Sequence, residues 1–152
     1  MNRDLCAFVR ANDLIPPGAH VTCAVSGGPD SMCMLWVLRQ VRDELDITLS
    51  CAHYDHGLRE SSAADADFVR DFCADHDIPF LCGRGDVAKE ALPGESIELA
   101  ARRLRYAFLH GCAPEGLIAT AHTADDNLET VLLRLIRGTS PRGLGGDRKS
   151  VV

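Results

Sequence analysis

The residues Ser26-Gly27-Gly28-Pro29-Asp30-Ser31 stand where an apolar run rich in β-branched residues, Val21 to Val25, gives way to a segment of helical period. A short apolar run closed by paired glycines reads as a buried strand entering a turn. From Asp30 onward the period changes: Met34, Leu38, Val41 and Leu45 fall at i, i+4, i+7 and i+11, one face of a helix. The rest of the chain keeps this alternation. Ile47 to His53, Pro79 to Cys82 and Leu117 to Ala121 read as further strands. Between them, Ser62 to Asp75 turns Ala66, Val69 and Cys73 inward and Asp65, Arg70 and Asp71 outward, and Ser96 caps a helix whose apolar stripe is Ile97, Ala101, Leu104 and Phe108. Thr123 is expected to open a last helix with Leu128, Leu132 and Leu135 as its buried stripe, stopped by Gly138. This order implies an α/β fold, a doubly wound parallel sheet with helices on both faces. In such Rossmann-like folds ligands bind where loops leave the carboxyl ends of the strands.

A chain of 152 residues, 46% hydrophobic and 25% charged, is expected to form one globular domain. Residues 1–19 read as a helical lead-in and 20–146 as the α/β domain, truncated at its C-terminal end. The final stretch, Asp147 to Val152, has neither period nor cap. A common sequencing-adapter string translates to the same residues, so a non-native tail is expected there. With 16 Lys+Arg against 22 Asp+Glu the net charge is -6, and no global positive field attracts nucleic acid; any such contact must be local. The seven cysteines contain no C-x-x-C pair. They read mostly as buried thiols in a reducing cytoplasm rather than as ligands of zinc or an iron–sulfur cluster. No signal peptide or membrane span is expected. The sequence leaves the oligomeric state open, a homodimer included.

The glycine turn is suited to phosphate. Its glycines let the backbone approach an anion without Cβ clashes, the following helix terminus adds about half a positive charge, and both serine hydroxyls can donate. Pro29 supplies no donor but suits a helix's first turn. Asp30 beside a phosphate is repulsive unless it holds a metal ion, so it is assigned to Mg²⁺. No lysine follows as in G-x-x-x-x-G-K-[ST], and the dinucleotide fingerprint G-x-G-x-x-G is absent.

The turn resembles the S-G-G-x-D-S loop of the N-type ATP pyrophosphatases, which cleave ATP between the α and β phosphates and hold the pyrophosphate in this loop. Three further stretches narrow the resemblance: His53-Tyr54-Asp55-His56-Gly57-Leu58-Arg59, then Ser96 to Tyr106 (SIELAARRLRY), then Ala119 to Thr130 (ATAHTADDNLET), continuing through Arg137-Gly138-Thr139 to Arg142-Gly143-Leu144. In this order and spacing, over about residues 20–146, they are similar to the N-terminal domain of the tRNA(Ile)-lysidine synthetases. The resemblance implies a fold of the adenine nucleotide alpha hydrolase type, with ATP and Mg²⁺ as cofactors. It also implies a reaction. ATP adenylates the C2 carbonyl oxygen of the wobble cytidine in tRNA(Ile) with a CAU anticodon, and the ε-amine of free L-lysine attacks C2 and expels AMP, giving lysidine.

Within this resemblance, Ser26 to Ser31 with His53 and His122 are assigned to ATP. Asp126 and Glu129, three apart near a helix start, are assigned to the lysine ammonium. Asp126 is the expected base, and Asp125 is a second metal candidate with Asp30. Glu98, Arg102 and Arg105 fall at i, i+4 and i+7, and Arg102 is expected to meet charge developing on the α-phosphate. His53, Asp55, His56 and Arg59 line either a nucleoside pocket or a local hydrogen-bond network. Arg59, Arg137 and Arg142 are candidate tRNA contacts, with Arg134 adding to the basic patch. So few arginines should bind tRNA weakly without the C-terminal domains that the family carries. The competing expectations are another pyrophosphatase of the same superfamily, or a module that binds ATP or AMP without chemistry.

Overall fold

The computed structural model describes residues 2–57, 62–123 and 131–137. In chain order the elements are α1 (Asn2–Ala11), β1 (His20–Ala24), α2 (Pro29–Leu45), β2 (Thr48–Asp55), α3 (Ser62–Asp75), β3 (Phe80–Arg84), α4 (Val87–Glu90), α5 (Ile97–Cys112), β4 (Leu117–Thr123) and β5 (Val131–Arg137). They build one sheet in the order β3-β2-β1-β4-β5. β1 pairs in parallel with β2 on one side and β4 on the other, and β3 continues in parallel beyond β2. The chain thus steps outward from β1 to β3 and then crosses back to place β4 on β1's free side. That reversal of direction is the point at which open α/β sheets leave a crevice at their carboxyl ends.

Alternation along each strand divides the side chains between two cores. Val21, Cys23, Leu49, Cys51, Leu117 and Ala119 face α1, α2 and α3, where Leu35, Leu38 and Val69 are fully buried. Burying such a leucine contributes about 1.5–3 kcal/mol. The expected stripe Met34, Leu38, Val41 and Leu45 lies entirely in this core, as do Val69 and Cys73 of α3, and Ala66 is buried as expected. The lead-in helix α1 adds Cys6 and Val9. The opposite face is smaller: Ala52 and Ile118 meet Leu109 and Ala113, with Phe108 and Cys112 alongside. Cys6, Cys23, Cys51 and Cys73 are buried free thiols, whereas Cys33 and Cys82 are exposed. Burial pushes the Cys23 thiol up to about 12. No described helix is long and apolar enough to cross a membrane.

Two elements differ from the sequence expectation. Residues 131–137 form a strand antiparallel to β4, with Leu135 opposite Ala119, not the helix carrying Leu132 and Leu135; Leu128 and Gly138 lie outside the described residues. The run VLLRLIR is short, apolar and β-branched at Val131 and Ile136, and periodicity alone does not separate such a run from a helix. The open edge of β4 supplies the partner. The sheet is therefore four parallel strands with one antiparallel edge strand, a common variation.

The second difference is the face of α5. Ile97 is 45% exposed, and Ala101, Leu104 and Phe108 are only half-buried, while Ala100 and Leu109 are buried. Only the C-terminal half of α5 packs on the strands, so the opening turn has no sheet beneath it. Ser96 does cap this helix, accepting from the Leu99 N–H at 3.2 Å. The expected tail 147–152 lies outside the described residues.

Candidate functional site

The turn after β1 is held by its own side chains. The Ser31 hydroxyl, buried, donates to the Gly28 carbonyl at 2.9 Å and accepts from the Ser26 N–H at 3.2 Å. The two serine hydroxyls lie 3.2 Å apart. Gly27 adopts φ +89°, and a Cβ there would stand 3.2 Å from the Asp65 Cβ on α3. Gly28 is the N-cap of α2 with no side-chain capping bond, and Pro29 follows in the first turn. The Gly28 N–H donates to Ser26 Oγ at 3.4 Å, and no capping side chain accepts from the first-turn N–H groups of α2. Asp30 stands exposed in the same first turn.

β2 delivers the second wall. His53 is buried, and its Nδ1 lies 2.8 Å from the Val25 carbonyl, to which it donates. In the neutral ring this leaves Nε2 as the acceptor, and it ties the β2 exit to the base of the turn. Asp55 is buried too: Oδ1 accepts from the Gly57 N–H at 2.8 Å, and Oδ2 lies 3.5 Å from Arg84 Nε. These contacts fasten the strand's exit, the local network that the sequence left open for this residue. His56 packs edge-on against Tyr54, centroids 5.0 Å apart. Its Nδ1 is buried with no hydrogen-bond partner. Burial, then the Arg105 charge, holds this imidazole below its ordinary value.

Between these walls lies a cavity of about 310 Å³ at the carboxyl ends of β1, β2 and β4. Ala24, Ala52 and Thr120 floor it, Ser26 and Ser31 edge it from the turn, and His53 and His56 line the β2 side. Asp65 of α3 and Arg105 and Tyr106 of α5 close the remaining sides. Of the sequence candidates, Ser26, Ser31 and His53 thus meet in one cavity, with Gly27, Gly28, Pro29 and Asp30 beside it. Arg102 is exposed at its rim, its guanidinium carbon 5.3 Å from the Tyr106 ring centroid. The backbone of His122 follows Ala121, which lines the cavity, and that of Arg137 lies in β5. Arg59, Asp125, Asp126, Glu129 and Arg142 lie outside the described residues.

Sequence reasoning did not single out Asp65, Tyr54, Tyr106 or Thr120, and it had Arg105 only as one member of a charged stripe. Asp65 read as an outward acid on a helix face; its proximity to Gly27 is a tertiary fact. Tyr106 carried a usable signal, as an aromatic one turn beyond Arg102. Among the described residues no group of three His, Cys, Asp or Glu side chains could hold a metal. Magnesium on a nucleotide needs none, because phosphate oxygens and water supply most of its octahedron and one or two carboxylates suffice. Asp30, solvent-facing beside the turn, fits that requirement.

Comparison with known proteins agrees with this geometry. Residues 3–151 match the family model of the PP-loop domain. The chain is 42% identical over 148 residues to a tRNA(Ile)-lysidine synthase of Dehalococcoides mccartyi, covering 93% of this chain and 31% of that protein. It is 44% identical over 137 residues to the enzyme of the same name from Thermotoga maritima, covering 86% and 33%, and 37% identical over 153 residues to that of Clostridium acetobutylicum, covering 97% and 33%. The chain thus spans about a third of the length of these relatives. Among solved structures, the U34-tRNA thiolase NcsA of Methanococcus maripaludis shares the fold, with a TM-score of 0.59 at 18% identity, covering 74% of this chain and 41% of that one.

Proposed function

The chain belongs to the PP-loop domain family, and from that premise we propose that it binds ATP with the two outer phosphates in the Ser26–Ser31 turn and serves lysidine formation on tRNA(Ile) with a CAU anticodon. The observation that carries this reading is the cavity between the turn and α5. It opens at the strands' carboxyl ends, with a helix N-terminus at one edge and a guanidinium at the other. The backbone donors and serines of the turn bind the leaving pyrophosphate. The Arg105 guanidinium, which lines the cavity where Arg102 does not, takes the role expected of Arg102 from the sequence and meets the charge that builds on the α-phosphate as the cytidine O2 attacks it. His53, fixed by Val25, positions the turn and presents Nε2 to the nucleotide, and His122 is assigned to the same nucleotide. Asp30 and Asp125 are the carboxylates that would hold Mg²⁺, which when bound neutralises triphosphate charge.

In the second half-reaction Asp126 and Glu129 hold the lysine ammonium, and Asp126 takes a proton so that the amine can attack C2 and release AMP. Arg59, Arg137 and Arg142 contribute to tRNA contact. In this reading residues 20–146 form the pyrophosphatase domain, residues 1–19 a helical lead-in and 147–152 a non-native tail, and the protein works in the cytoplasm. The similarity to lysidine synthases over nearly the whole chain supports lysine as the second substrate. The test supplies the full-length protein with labelled lysine, ATP and tRNA(Ile) transcripts with C or U at the wobble position, since the 152 residues alone are expected to form little or no lysidine. Label is expected only on the C transcript, and Asp126→Asn or Glu129→Gln should abolish it while leaving calorimetric ATP binding in place. Label on both transcripts, or retained lysine transfer in both variants, refutes the assignment.

A further inference from the structure

Four arginines of this acidic chain are neutralised locally. Arg42 faces Asp43, Arg70 faces Asp67, Arg84 faces Asp55, and Arg103 grips both oxygens of Glu95 at 3.0 and 2.8 Å. Arg102 and Arg105 behave differently. Neither makes an ion pair among the described residues, and Glu98, one turn before Arg102, does not close on it. Instead both guanidinium carbons lie against one aromatic ring, 5.3 and 5.5 Å from the Tyr106 centroid. Two unneutralised cations held by one ring gain from its quadrupole but repel each other. The arrangement becomes favourable once anions arrive. Burial first, and then the Arg105 charge, hold His56 in the cavity wall below its ordinary value.

The two cations are not equivalent in position. Arg105 and Tyr106 line the cavity, whereas Arg102 is exposed outside it. A nucleotide in the cavity reaches Arg105. Arg102 faces the solvent from which a polymeric substrate must insert one residue. We propose that Arg102, propped on Tyr106, is a rim site for a phosphodiester of the single-stranded RNA whose nucleotide enters the cavity, while Arg105 serves the nucleotide inside. Tyr106 is the positioning residue for both. A planar guanidinium suits this task, since it offers paired donors to phosphate oxygens and is weakly hydrated. The inference rests on the proposed action on RNA and adds a contact outside the group assigned to Arg59, Arg137 and Arg142.

The test measures binding of an anticodon stem-loop RNA to the full chain by fluorescence anisotropy across a salt series, with ATP–magnesium calorimetry on the same samples. Arg102→Ala should weaken RNA binding about tenfold at low salt and reduce the slope of log affinity against log salt by about 0.7, one single-strand phosphate contact. Arg102→Lys should keep the slope, because a point charge still displaces a counterion. Tyr106→Phe should match the parent and Tyr106→Leu should resemble Arg102→Ala, while Arg105→Ala should lose heat with ATP. Circular dichroism checks that each variant folds, and Arg102→Gln, expected to lose the same slope, carries the comparison if the alanine variant does not fold. An unchanged salt slope in Arg102→Ala, or no RNA binding by the parent at low salt, overturns the rim site. Absence of heat with ATP and magnesium in the parent overturns the parent reading instead.

Discussion

The two glycines of the turn should separate cleanly in a stability experiment. Gly27 sits at φ +89°, where a Cβ costs roughly 1–2 kcal/mol. An added methyl would also lie 3.2 Å from the Asp65 Cβ, so the turn or the start of α3 must yield by a few tenths of an ångström. Together these place Gly27→Ala at about 1–3 kcal/mol of destabilisation. Gly28 has φ -74° and ψ 159°, ordinary extended backbone, and a Cβ there meets only Ser26 Oγ at 3.5 Å. Its replacement gains about 0.4–1 kcal/mol from a stiffer unfolded chain and loses a comparable amount as a poorer N-cap. Gly28→Ala should therefore stay within about 0.5 kcal/mol of the parent. For a chain of this size the difference corresponds to about 2–4 °C in Tm per kcal/mol, readable in urea titrations and thermal melts. ATP calorimetry should show a different pattern, with both variants weakened, because each methyl stands where backbone approaches the anion. Equal stability of the two variants would refute the reading of the turn.

Leu38, 1% exposed beneath α2, should lose about 2–5 kcal/mol when cut to alanine, measured by urea unfolding. At Gly83 an added Cβ would fall 2.6 Å from two Phe108 ring carbons. Gly83→Ala should cost about 1–3 kcal/mol, largely recovered in a Gly83→Ala/Phe108→Leu double variant compared by thermal melting. Arg103 and the Leu92 N–H hold the Glu95 carboxyl at about 2, against an ordinary 4.5. The folded value lies below the unfolded one, so this contribution is complete above about pH 4.5 and is lost as pH falls toward 2. Glu95→Gln should flatten the part of the acid-unfolding curve in that window, and an unchanged curve would show that the pair contributes nothing.

The alternating order, the strand positions and the α2 stripe were legible because each rests on local period: apolar runs bounded by turn residues, and leucines repeating on one helix face. Residues 131–137 were not, since five apolar residues in a run of seven satisfy either period and the partner edge on β4 is a tertiary fact. The α5 stripe failed for a related cause, because its spacing was right but the sheet ends before its first turn does. In the site, Ser26, Ser31 and His53 were legible from the glycine turn and the strand exit that faces it. Asp65 is exposed as its helix position implies, but nothing local marks it as the acid whose Cβ lies beside Gly27. Arg105 and Arg102 looked alike as members of one stripe, and only the position of α5 over the strand ends separates the residue inside the cavity from the one at its rim.

Because β4 slots in beside β1 only after β2, β3 and α5 have been laid down, the pocket cannot close while the polypeptide is still emerging. A ribosome adding about 5–20 residues per second exposes the Ser26–Ser31 segment several seconds before Arg105, Tyr106 and Thr120 arrive to complete the chamber around it. A nascent chain stalled before β4 should therefore present its anion-seeking amides without a roof, and nucleotide should act as a folding ligand only once that strand has been released.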